Sequence, residues 1–384
     1  MTMISKASPA LFPAAILLAS CGATANVDTA ASTEAFDVAE VASFDRPWAA
    51  AFVPGTEVLV ITLKAGELRG VDTATGRQFA ITGAPQVDFG GQGGLGDVAF
   101  LASEADANVG SRTIYLSWVE AGQDDTRGAV VGRGTLTCAQ GADCAISGLT
   151  VIWRQAPKVT GRGHYSHRIR FSPDGRYLFV ASGDRQKMQP AQDTSNTIGT
   201  IVRLNLDGTP AAGNPLAEQG GASAEIWSWG HRNILGMDWD AQGRLWEVEH
   251  GPEGGDELNL VQAGANYGWP VRSYGDHYDG ENIPDHSADD GFAKPAIHWT
   301  PVIAPGDMIV YRGDMFGAWK GQALIAGLAA EALVRVNIDG DTASEAARYK
   351  LGGRLRSVDE APDGALWVLE DGADARLLKV TAKK

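Results

Sequence analysis

The 384-residue sequence is poor in charged residues, and in positive charge above all. Charged residues make up 21% of it, and 47 acidic side chains exceed 32 basic ones, for a formal net charge of −15. Proteins that bind nucleic acid or an anionic membrane electrostatically carry an excess of Lys and Arg. The composition therefore argues against both partners, while a local cationic pocket for a small anion stays compatible with it.

Cysteine is also scarce, with three residues in the chain. Cys138 and Cys144 stand in a glycine-containing loop between two strand-like runs. No His or further Cys lies nearby, which argues against a metal site. In an oxidising compartment a disulfide between these two residues is the default, so we predict one here.

The third cysteine, Cys21, ends an apolar segment near the N-terminus. Lys6 precedes the run ALFPAAILLAS, which is too short to span a bilayer and fits an export signal. Because small residues precede Cys21, the segment resembles a bacterial lipoprotein signal peptide over residues 1–21; an ordinary signal peptide cut nearby is the alternative. Residues 22–42 are small, polar and acidic, as in a flexible tether. We expect an exported, periplasmic protein that is anchored to the cell envelope by an acyl chain.

Long amphipathic helical patterns are missing, and short alternating strand patterns take their place. Six segments share one design, a turn with glycine followed by a short apolar strand, at a spacing of about 60 residues. They begin at Val53, Gly110, Ser172, Asp240, Trp319 and Ala361. We predict an all-β protein, a six-bladed β-propeller over residues 43–382 with four strands per blade. A pair of β-sandwiches is the competing architecture, but it does not account for the even spacing.

A ligand of such a ring normally binds at one mouth of the channel, where the inner strands and their loops converge. Candidate site residues should therefore fall at a similar phase in several repeats. Beside the third repeat, His164 and His167 precede a strand and Asp184 follows it. A carboxylate that orients a histidine ring is the minimum for a general base.

The fourth repeat carries oxygen ligands. Gly251 and Pro252 offer backbone carbonyls in a tight loop, the hard ligands that calcium accepts. Asp256, Glu257 and Asn259 form a second oxygen cluster, or else a solvated polar turn.

The last repeat places two arginines, Arg354 and Arg356, on one face of a strand. At a channel mouth, two guanidinium groups suit a polycarboxylate ligand; for the motif taken alone, an ordinary surface pair is the more common interpretation.

Together these motifs resemble the soluble glucose/sorbosone dehydrogenase family. The motifs GQGGLGDVAF, GHRN, EHGPEGGDELNL, GANYGWP and RLRSV follow the family's order, and the resemblance spans residues 43–382. The family's members are pyrroloquinoline quinone (PQQ) enzymes on a six-bladed propeller, of the aldose sugar dehydrogenase type. The resemblance implies calcium-dependent oxidation of aldoses to lactones, with hydride transfer to PQQ. Electrons would pass to an external quinone or cytochrome, since the chain has no CxxCH haem motif.

The resemblance also implies roles for individual residues. His164 matches the general base that takes the proton of the sugar's anomeric hydroxyl, and Asp184 matches the acid that supports it. Arg232 and Asn233 match a pair that contacts the quinone oxygens, where Arg232 would stabilise developing charge. His231, beside them, is expected to be a packed structural residue.

Further matches concern the cofactor and the metal. Gln92 matches a residue near substrate and cofactor. Gly251 and Pro252 match the carbonyl ligands of the calcium that holds and polarises PQQ. Glu257 and Tyr267 resemble positions of a further structural calcium site. The PQQ carboxylates would pair with two arginines, Arg354 and Arg356.

The chain departs from the family at three places. His167 stands where the family has glycine, and it could crowd the site or join it. A lysine that helps to hold PQQ carboxylates is missing, because the segment offers only Ala329 or Ala330. An expected Ser or Thr is replaced by Val302 or Ile303. The two lost contacts predict weaker PQQ binding or an altered substrate, with the fold unchanged.

Two other functions stay open, because fold alone does not choose among them. A metal-dependent lactonase would use side-chain ligands, for which Glu249, Asn266 and Asp256 are candidates. It would leave the Gly251–Pro252 carbonyls and the arginine pair unexplained. A non-catalytic propeller that binds a partner through its loops is the other alternative.

Overall fold

The computed structural model describes residues 30–31, 36–106, 110–138 and 143–383, and strands dominate these parts of the chain. They contain no α-helix, so the predicted all-β class is confirmed. Short 3-10 helices are Ala102–Glu104, Gln189–Gln192, Ala217–Gln219, Gly221–Glu225 and Gly317–Trp319. None of the helices in the described ranges is long and apolar enough to cross a membrane. The predicted signal peptide with Cys21, and most of the predicted tether, lie outside the described residues.

The chain enters the sheets through β1 (Ala30–Ala31) and β2 (Phe36–Phe44). Phe36 is 2% exposed, and its ring packs edge-on against those of Trp319 and Tyr349. The predicted end of the tether at residue 42 is therefore too late, because β2 already places core side chains in a sheet.

The next strands form one eight-stranded sheet, which consists of two groups of four consecutive strands. They are β3 (Pro47–Phe52), β4 (Val58–Leu63), β5 (Glu67–Asp72), β6 (Gln78–Thr82), β7 (Leu95–Phe100), β8 (Ser111–Ala121), β9 (Arg127–Cys138) and β10 (Cys144–Arg154). The two groups join where β6 runs parallel to β10. Cys138 and Cys144 face each other across β9 and β10 and form a disulfide, which confirms that prediction.

The third group is an antiparallel sheet of four strands. They are β11 (Ser166–Phe171), β12 (Tyr177–Ser182), β13 (Thr200–Asn205) and β14 (Ile226–Trp229). The following strands are β15 (Ile234–Trp239), β16 (Leu245–Glu249), β17 (Glu253–Gly254), β18 (Asp256–Val261), β19 (Gly275–Asp276) and β20 (Ile297–Trp299). Of these, β15, β16, β18 and β20 form the fourth group, and β17 pairs with β19 beside it.

The last strands are β21 (Pro305–Val310), β22 (Ala323–Gly327), β23 (Ala332–Asp339), β24 (Thr342–Lys350), β25 (Leu355–Glu360), β26 (Leu366–Glu370) and β27 (Ala375–Ala382). Strands β21 to β24 form one sheet, to which β1 adds in parallel. Strands β25 to β27 form another, and β2 completes it as the fourth strand. A strand from the first part of the chain thus completes the sheet that the last three strands form.

The first strand of each group contacts the first strand of the next group. β3 lies against β7, β7 against β11, β11 against β15, β15 against β21, β21 against β25, and β25 against β3. The repeat segments recognised in the sequence are the second strands: β4, β8, β12, β16, β22 and β26.

Apolar side chains fill the space between neighbouring sheets. Leu59 and Ile61 of β4 pack with Trp367 and Leu369 of β26, and all four are at most 2% exposed. Both faces of β4 are covered, which is why its sequence VLVITL is apolar at every position but Thr62 and does not alternate. Burial of each such side chain stabilises the folded state by about 1.5–3 kcal/mol relative to leaving it exposed to water.

A buried arginine connects the first strands near the site. Arg168 is fully buried, and its Nε and Nη2 donate to the carbonyl oxygens of Leu235 (2.5 Å) and Gly306 (2.6 Å). Its Nη1 lies 3.2 Å from Oδ1 of Asp97. A buried guanidinium is costly unless it is paired and hydrogen-bonded. Here it fixes β7, β11, β15 and β21 relative to one another.

Candidate active site

The sequence-predicted residues lie at corresponding positions of several groups. Gln92 precedes β7, His164 precedes β11, and Arg232 and Asn233 directly precede β15. Arg356 is the second residue of β25. The predicted site residues therefore occupy similar positions in several groups of strands, as expected for residues of one common site.

A cavity of about 230 Å³, named the main cavity because several predicted site residues line it, opens where these positions meet. Four predicted residues line it: Gln92, Asn233, Arg354 and Arg356. So do Lys64, Trp48, Ser166, His167 and Leu328, of which the sequence analysis singled out only His167.

His164 and Asp184 form a buried pair. Nδ1 of His164 lies 2.7 Å from Oδ1 of Asp184, and Oδ2 of that carboxylate accepts a hydrogen bond from Nε1 of Trp269 at 2.8 Å. The backbone N–H of Gln186 donates to Oδ1 at 2.8 Å. These donors orient the carboxylate, which places the proton of a neutral His164 ring on Nδ1. Nε2 then has a free lone pair, and no described residue hydrogen-bonds to it.

The backbone around His164 is in a left-handed conformation that non-glycine residues rarely adopt. The φ angles of His164, Ser166 and His167 are 46°, 55° and 50°. Such residues cost about 1–3 kcal/mol each and are typical of functional sites. Hydrogen bonding holds the strained turn in place, since His164 N–H donates to Oε1 of Gln92 at 2.7 Å. A side chain at Gly183 would come within 2.1 Å of the His164 carbonyl oxygen, so this approach requires glycine.

His167 joins the wall of the main cavity and does not fill it. Its ring packs on Trp48 with centroids 4.8 Å apart, and its Nδ1 lies 2.9 Å from Oγ of Ser117. Gly96 makes room for it, because a Cβ there would lie 1.9 Å from the ring. Burial, with the nearby Arg168, lowers the pKa of His167 to about 3. His167 is therefore a neutral ring at physiological pH.

Arg232 and Asn233 are held by their backbone. Both N–H groups donate to Oε2 of Glu249, at 2.6 and 3.1 Å. The Arg232 guanidinium donates from Nη1 to the His250 carbonyl (3.1 Å) and lies 5.2 Å from the ring centre of Trp269. Its Nε is buried without a partner among the described residues. An unsatisfied donor of this kind costs free energy until an acceptor reaches it, so it marks a place for a ligand.

Behind this row lies a buried acidic cluster. Nδ1 of His231 is 3.2 Å from Oε1 of Glu249 and 3.6 Å from Oε1 of Glu247, and its ring stacks on Tyr267. Burial opposes protonation of His231, but the hydrogen bonds that its ring donates to Glu247 and Glu249 prevail and raise its pKa to about 9. Burial and the charge of Glu249 raise the pKa of Glu247 to about 8. His231 is packed, as expected, and it also balances part of this negative charge.

The acidic cluster has the chemistry of a cation site. Among the described residues, His231, Glu247 and Glu249 are the one group of possible metal ligands that approach within 4.8 Å of one another. Asn259 donates from Nδ2 to Glu247 (2.7 Å) and Glu257 (3.3 Å). Oε2 of Glu247 and Oδ1 of Asn259 are buried and have no partner in the described chain. Carboxylate and amide oxygens are the ligands that calcium prefers.

The remaining predicted metal ligands lie beside this cluster. Gly251, Glu257 and Tyr267 line a second, smaller cavity, together with Arg232. A Cβ at Gly251 would meet the carbonyl oxygens of Gly254 and Gly255 at 2.2 and 2.3 Å, so the turn is dense in carbonyl groups.

Pro252 and Tyr267, like Gly251, offer only backbone ligands. Pro252 is buried in the same turn and has only its carbonyl to offer. The hydroxyl of Tyr267 donates to the Leu260 carbonyl at 2.6 Å and accepts from Gln262 N–H, so its carbonyl is the group left for a metal.

The side chains considered for a lactonase metal do not converge. Asn266 exchanges hydrogen bonds with Gln192 at 2.8 and 3.1 Å. Asp256 accepts from the backbone N–H groups of Gly251 (2.9 Å) and Ala304 (2.6 Å). Both are thus engaged elsewhere.

The arginine pair shares one carboxylate. Arg356 donates from Nε and Nη2 to Oδ1 of Asp371 at 2.9 and 2.8 Å, and Nε of Arg354 lies 3.4 Å from Oδ2. Beside Ala329 and Ala330, where the family resemblance predicts a lysine, the residue that lines the cavity is the apolar Leu328. The adjacent N–H groups of residues 329 and 330 both donate to the Ile303 carbonyl at 3.0 Å.

Sequence reasoning missed three residues of this site. Trp269 stands in the motif GANYGWP without a role, although its indole N–H holds Asp184. Glu247 is two positions before Glu249 in β16, and strand alternation could have indicated a shared face. Lys64 directly follows the strand of the first repeat.

Comparisons with known proteins agree with these motifs. The sequence model described as Glucose / Sorbosone dehydrogenase matches residues 44–379. The chain is 37% identical over 344 residues to "Aldose sugar dehydrogenase YliI" of Escherichia coli (strain K12), which covers 88% of this chain and 91% of that protein. The crystal structure of the soluble aldose sugar dehydrogenase from Escherichia coli in the apo-form aligns with a TM-score of 0.83 and 35% identity, over 91% of this chain and 100% of the other.

A second solved structure, the PQQ-bound form of aldose sugar dehydrogenase from Streptomyces coelicolor, aligns with a TM-score of 0.73 and 27% identity. It covers 91% of this chain and 98% of the other. With the match over residues 44–379, these similarities show that the chain belongs to the glucose/sorbosone dehydrogenase family.

Proposed function

We propose that this protein is a PQQ- and calcium-dependent dehydrogenase that oxidises aldose sugars to lactones. The observation that carries the proposal is the His164–Asp184 pair at 2.7 Å; the residues that follow His164, Tyr165 and Ser166, line a cavity with a cationic wall. The similarity to an aldose sugar dehydrogenase and to a PQQ-bound structure supports the substrate class and the cofactor.

The residues present fit PQQ. Arg354 and Arg356 line the main cavity and share only the carboxylate of Asp371, so they can bind further carboxylates. Asn233 lines the same cavity. The unpartnered Nε of Arg232 is a donor for a cofactor oxygen.

The residues present also fit calcium. The carbonyls of Gly251 and Pro252 would hold the ion that contacts the cofactor. Glu257 and the Tyr267 carbonyl would belong to a structural ion, with the lone oxygens of Glu247 and Asn259 as additional ligands. A divalent cation would balance the buried carboxylates that otherwise raise one another's pKa.

When bound, PQQ would supply the quinone carbonyl that accepts a hydride from the sugar. His164 would take the proton of the anomeric hydroxyl at Nε2, while Asp184 stabilises the charged ring through Nδ1. Trp269 keeps Asp184 in the orientation that this requires. Arg232 stabilises negative charge that develops beside it. Electrons would then leave to an external quinone or cytochrome.

The architecture and location belong to the same proposal. Six groups of strands whose first members contact one another in a closed sequence, from β3 to β25 and back, support a six-bladed propeller with the site at one mouth. Export to the periplasm with an acyl anchor at Cys21 is supported by the Cys138–Cys144 disulfide, since disulfides persist in oxidising compartments.

The proposal is tested by reconstituting the apoprotein with PQQ and Ca²⁺ and measuring dye reduction with a panel of aldoses. We expect sugar-dependent reduction that needs both additions. Absence of both PQQ binding and sugar-dependent reduction would refute the proposal. Lactone hydrolysis without PQQ would favour the lactonase instead.

A further inference from the structure

A lysine from the first group faces the main cavity. Lys64 directly follows β4 and lines the cavity together with Arg354 and Arg356. Its backbone is fixed on both sides, since its N–H donates to the Arg46 carbonyl and its own carbonyl accepts from Leu95 N–H, each at 3.0 Å. The position of this side chain is therefore defined by the sheets and not by a free loop.

The charges around the main cavity do not balance. Arg354 and Arg356 both pair with Asp371, but Nζ of Lys64 donates to the Gly91 carbonyl at 3.1 Å. In the described parts of the chain no carboxylate lies within 4.0 Å of this Nζ. The two arginines and Lys64 thus carry three positive charges, against the single negative charge of Asp371.

Holding these cations together costs free energy that an anionic ligand would offset. Burial, followed by the charge of Arg356, lowers the pKa of Lys64. An anion between the cations would relieve their repulsion and provide the acceptors that guanidinium and ammonium groups need. A rigid ligand with two or more carboxylates has enough negative charge to pair with the three cations that line this cavity.

We propose that Lys64 adds a third cation to the subsite in which Arg354 and Arg356 would bind the carboxylates of an aromatic polycarboxylate. The inference rests on the proposed function in that PQQ would be the physiological polycarboxylate. It alters one expectation from the sequence: Ala329 or Ala330 in place of the family lysine does not leave the cavity short of positive charge, because Lys64 reaches it from another group.

The alternative role for Lys64 is structural. Its hydrogen bond to Gly91 holds the turn that carries Gln92, and Gln92 in turn accepts from His164 N–H. Lys64→Gln separates the two roles, because an amide can still donate to the Gly91 carbonyl but carries no charge. Lys64→Arg keeps the charge and changes the shape.

The test measures dissociation constants at equilibrium, without substrate, for two probes: PQQ with Ca²⁺, and benzene-1,3,5-tricarboxylate, which has no quinone. Lys64→Met and Lys64→Gln should both weaken binding of either probe by about tenfold to a hundredfold, as expected for one hydrogen bond to a charged group. Lys64→Arg should stay within a few-fold of the wild type. The control is Lys320→Met, which removes the same charge from an exposed lysine paired with Asp314. Thermal unfolding of each variant verifies that it is folded.

The outcomes separate this inference from the proposed function. Lys64-dependent binding of the tricarboxylate, without any binding of PQQ, would support the subsite and refute the dehydrogenase. Wild-type affinity in Lys64→Met, wild-type affinity in Lys64→Gln alone, or no binding of either probe to the wild type would each overturn the subsite.

Discussion

Nδ1 of His164 lies 2.7 Å from Oδ1 of Asp184, although the two residues are 20 positions apart and two whole strands, β11 and β12, lie between them. The other oxygen of Asp184 accepts from the indole of Trp269, which lies in the loop after β18. Two groups of strands thus combine to orient one imidazole. This arrangement leads to the first three predictions.

Replacing His164 by Ala should reduce kcat by about 10²–10⁴-fold, the range for loss of a general base. PQQ affinity should change little, because the cations that face the main cavity are untouched. Steady-state dye reduction and equilibrium binding of PQQ measure the two effects. Turnover at the wild-type rate would place the base elsewhere.

Replacing His167 by Ala provides the matched comparison. This ring has no carboxylate partner in the described chain and a pKa lowered to about 3 by burial, so it is a poor proton acceptor at neutral pH. We expect kcat to stay within about tenfold of the wild type. A loss as large as that of His164→Ala would mean that His167 takes part in the proton transfer.

Replacing Trp269 by Phe removes the N–H that holds Asp184. Leaving a buried carboxylate oxygen without its donor costs about 1–3 kcal/mol, so kcat should fall by about tenfold or more. The control is Trp239→Phe, because the indole nitrogen of Trp239 has no hydrogen-bond partner in the described structure. Equal kcat values for both variants would argue against a positioning role for Trp269.

Much of the fold could be predicted from the sequence because the second strands are locally regular. Segments such as YLFVAS and LWVLE carry the alternation and the glycine turns that indicate strands. β2 was missed because it lies at the edge of a sheet and its four residues from Asp37 to Glu40 are all exposed. A strand of this kind has the composition of a tether, and only its pairing with β27 distinguishes it.

The site could be predicted where motifs are contiguous, as for Arg232 and Asn233. The site could not be predicted where interacting residues are distant from each other along the chain. Trp269 reaches Asp184 across 85 residues, and Lys64 and Arg356 line one cavity although they come from opposite ends of the sequence. The spacing of residues in the sequence does not indicate such relationships, because they arise only when the sheets pack against one another.

The pH dependence of stability provides a prediction away from the site. Burial raises the pKa of Glu225, while the hydrogen bond from the Trp153 indole at 2.8 Å partly opposes this. The folded state therefore holds this proton more tightly than the unfolded state. Its stabilising contribution is full below the unfolded pKa and is lost as the pH rises through the folded pKa.

Glu225→Gln should accordingly gain stability relative to the wild type as the pH rises from about 4 to 7. Because the gain equals the free energy of the pKa difference between folded and unfolded Glu225, a tenfold difference in proton affinity corresponds to about 1.4 kcal/mol. The amide keeps an acceptor for Trp153. Denaturant unfolding of both proteins at several pH values measures the difference in stability. A constant difference across this range would contradict the assignment.

The central claim is that this chain transfers a hydride from an aldose to bound PQQ with His164 as the base. The most direct measurement is anaerobic single-turnover spectroscopy of the PQQ- and Ca²⁺-loaded protein after mixing with an aldose, without any electron acceptor. We predict that the absorbance of the oxidised quinone disappears in one turnover, and that His164→Ala with the same PQQ content shows a rate lower by about 10²-fold or more. A loaded wild-type protein whose quinone spectrum stays unchanged with every aldose tested would contradict the claim.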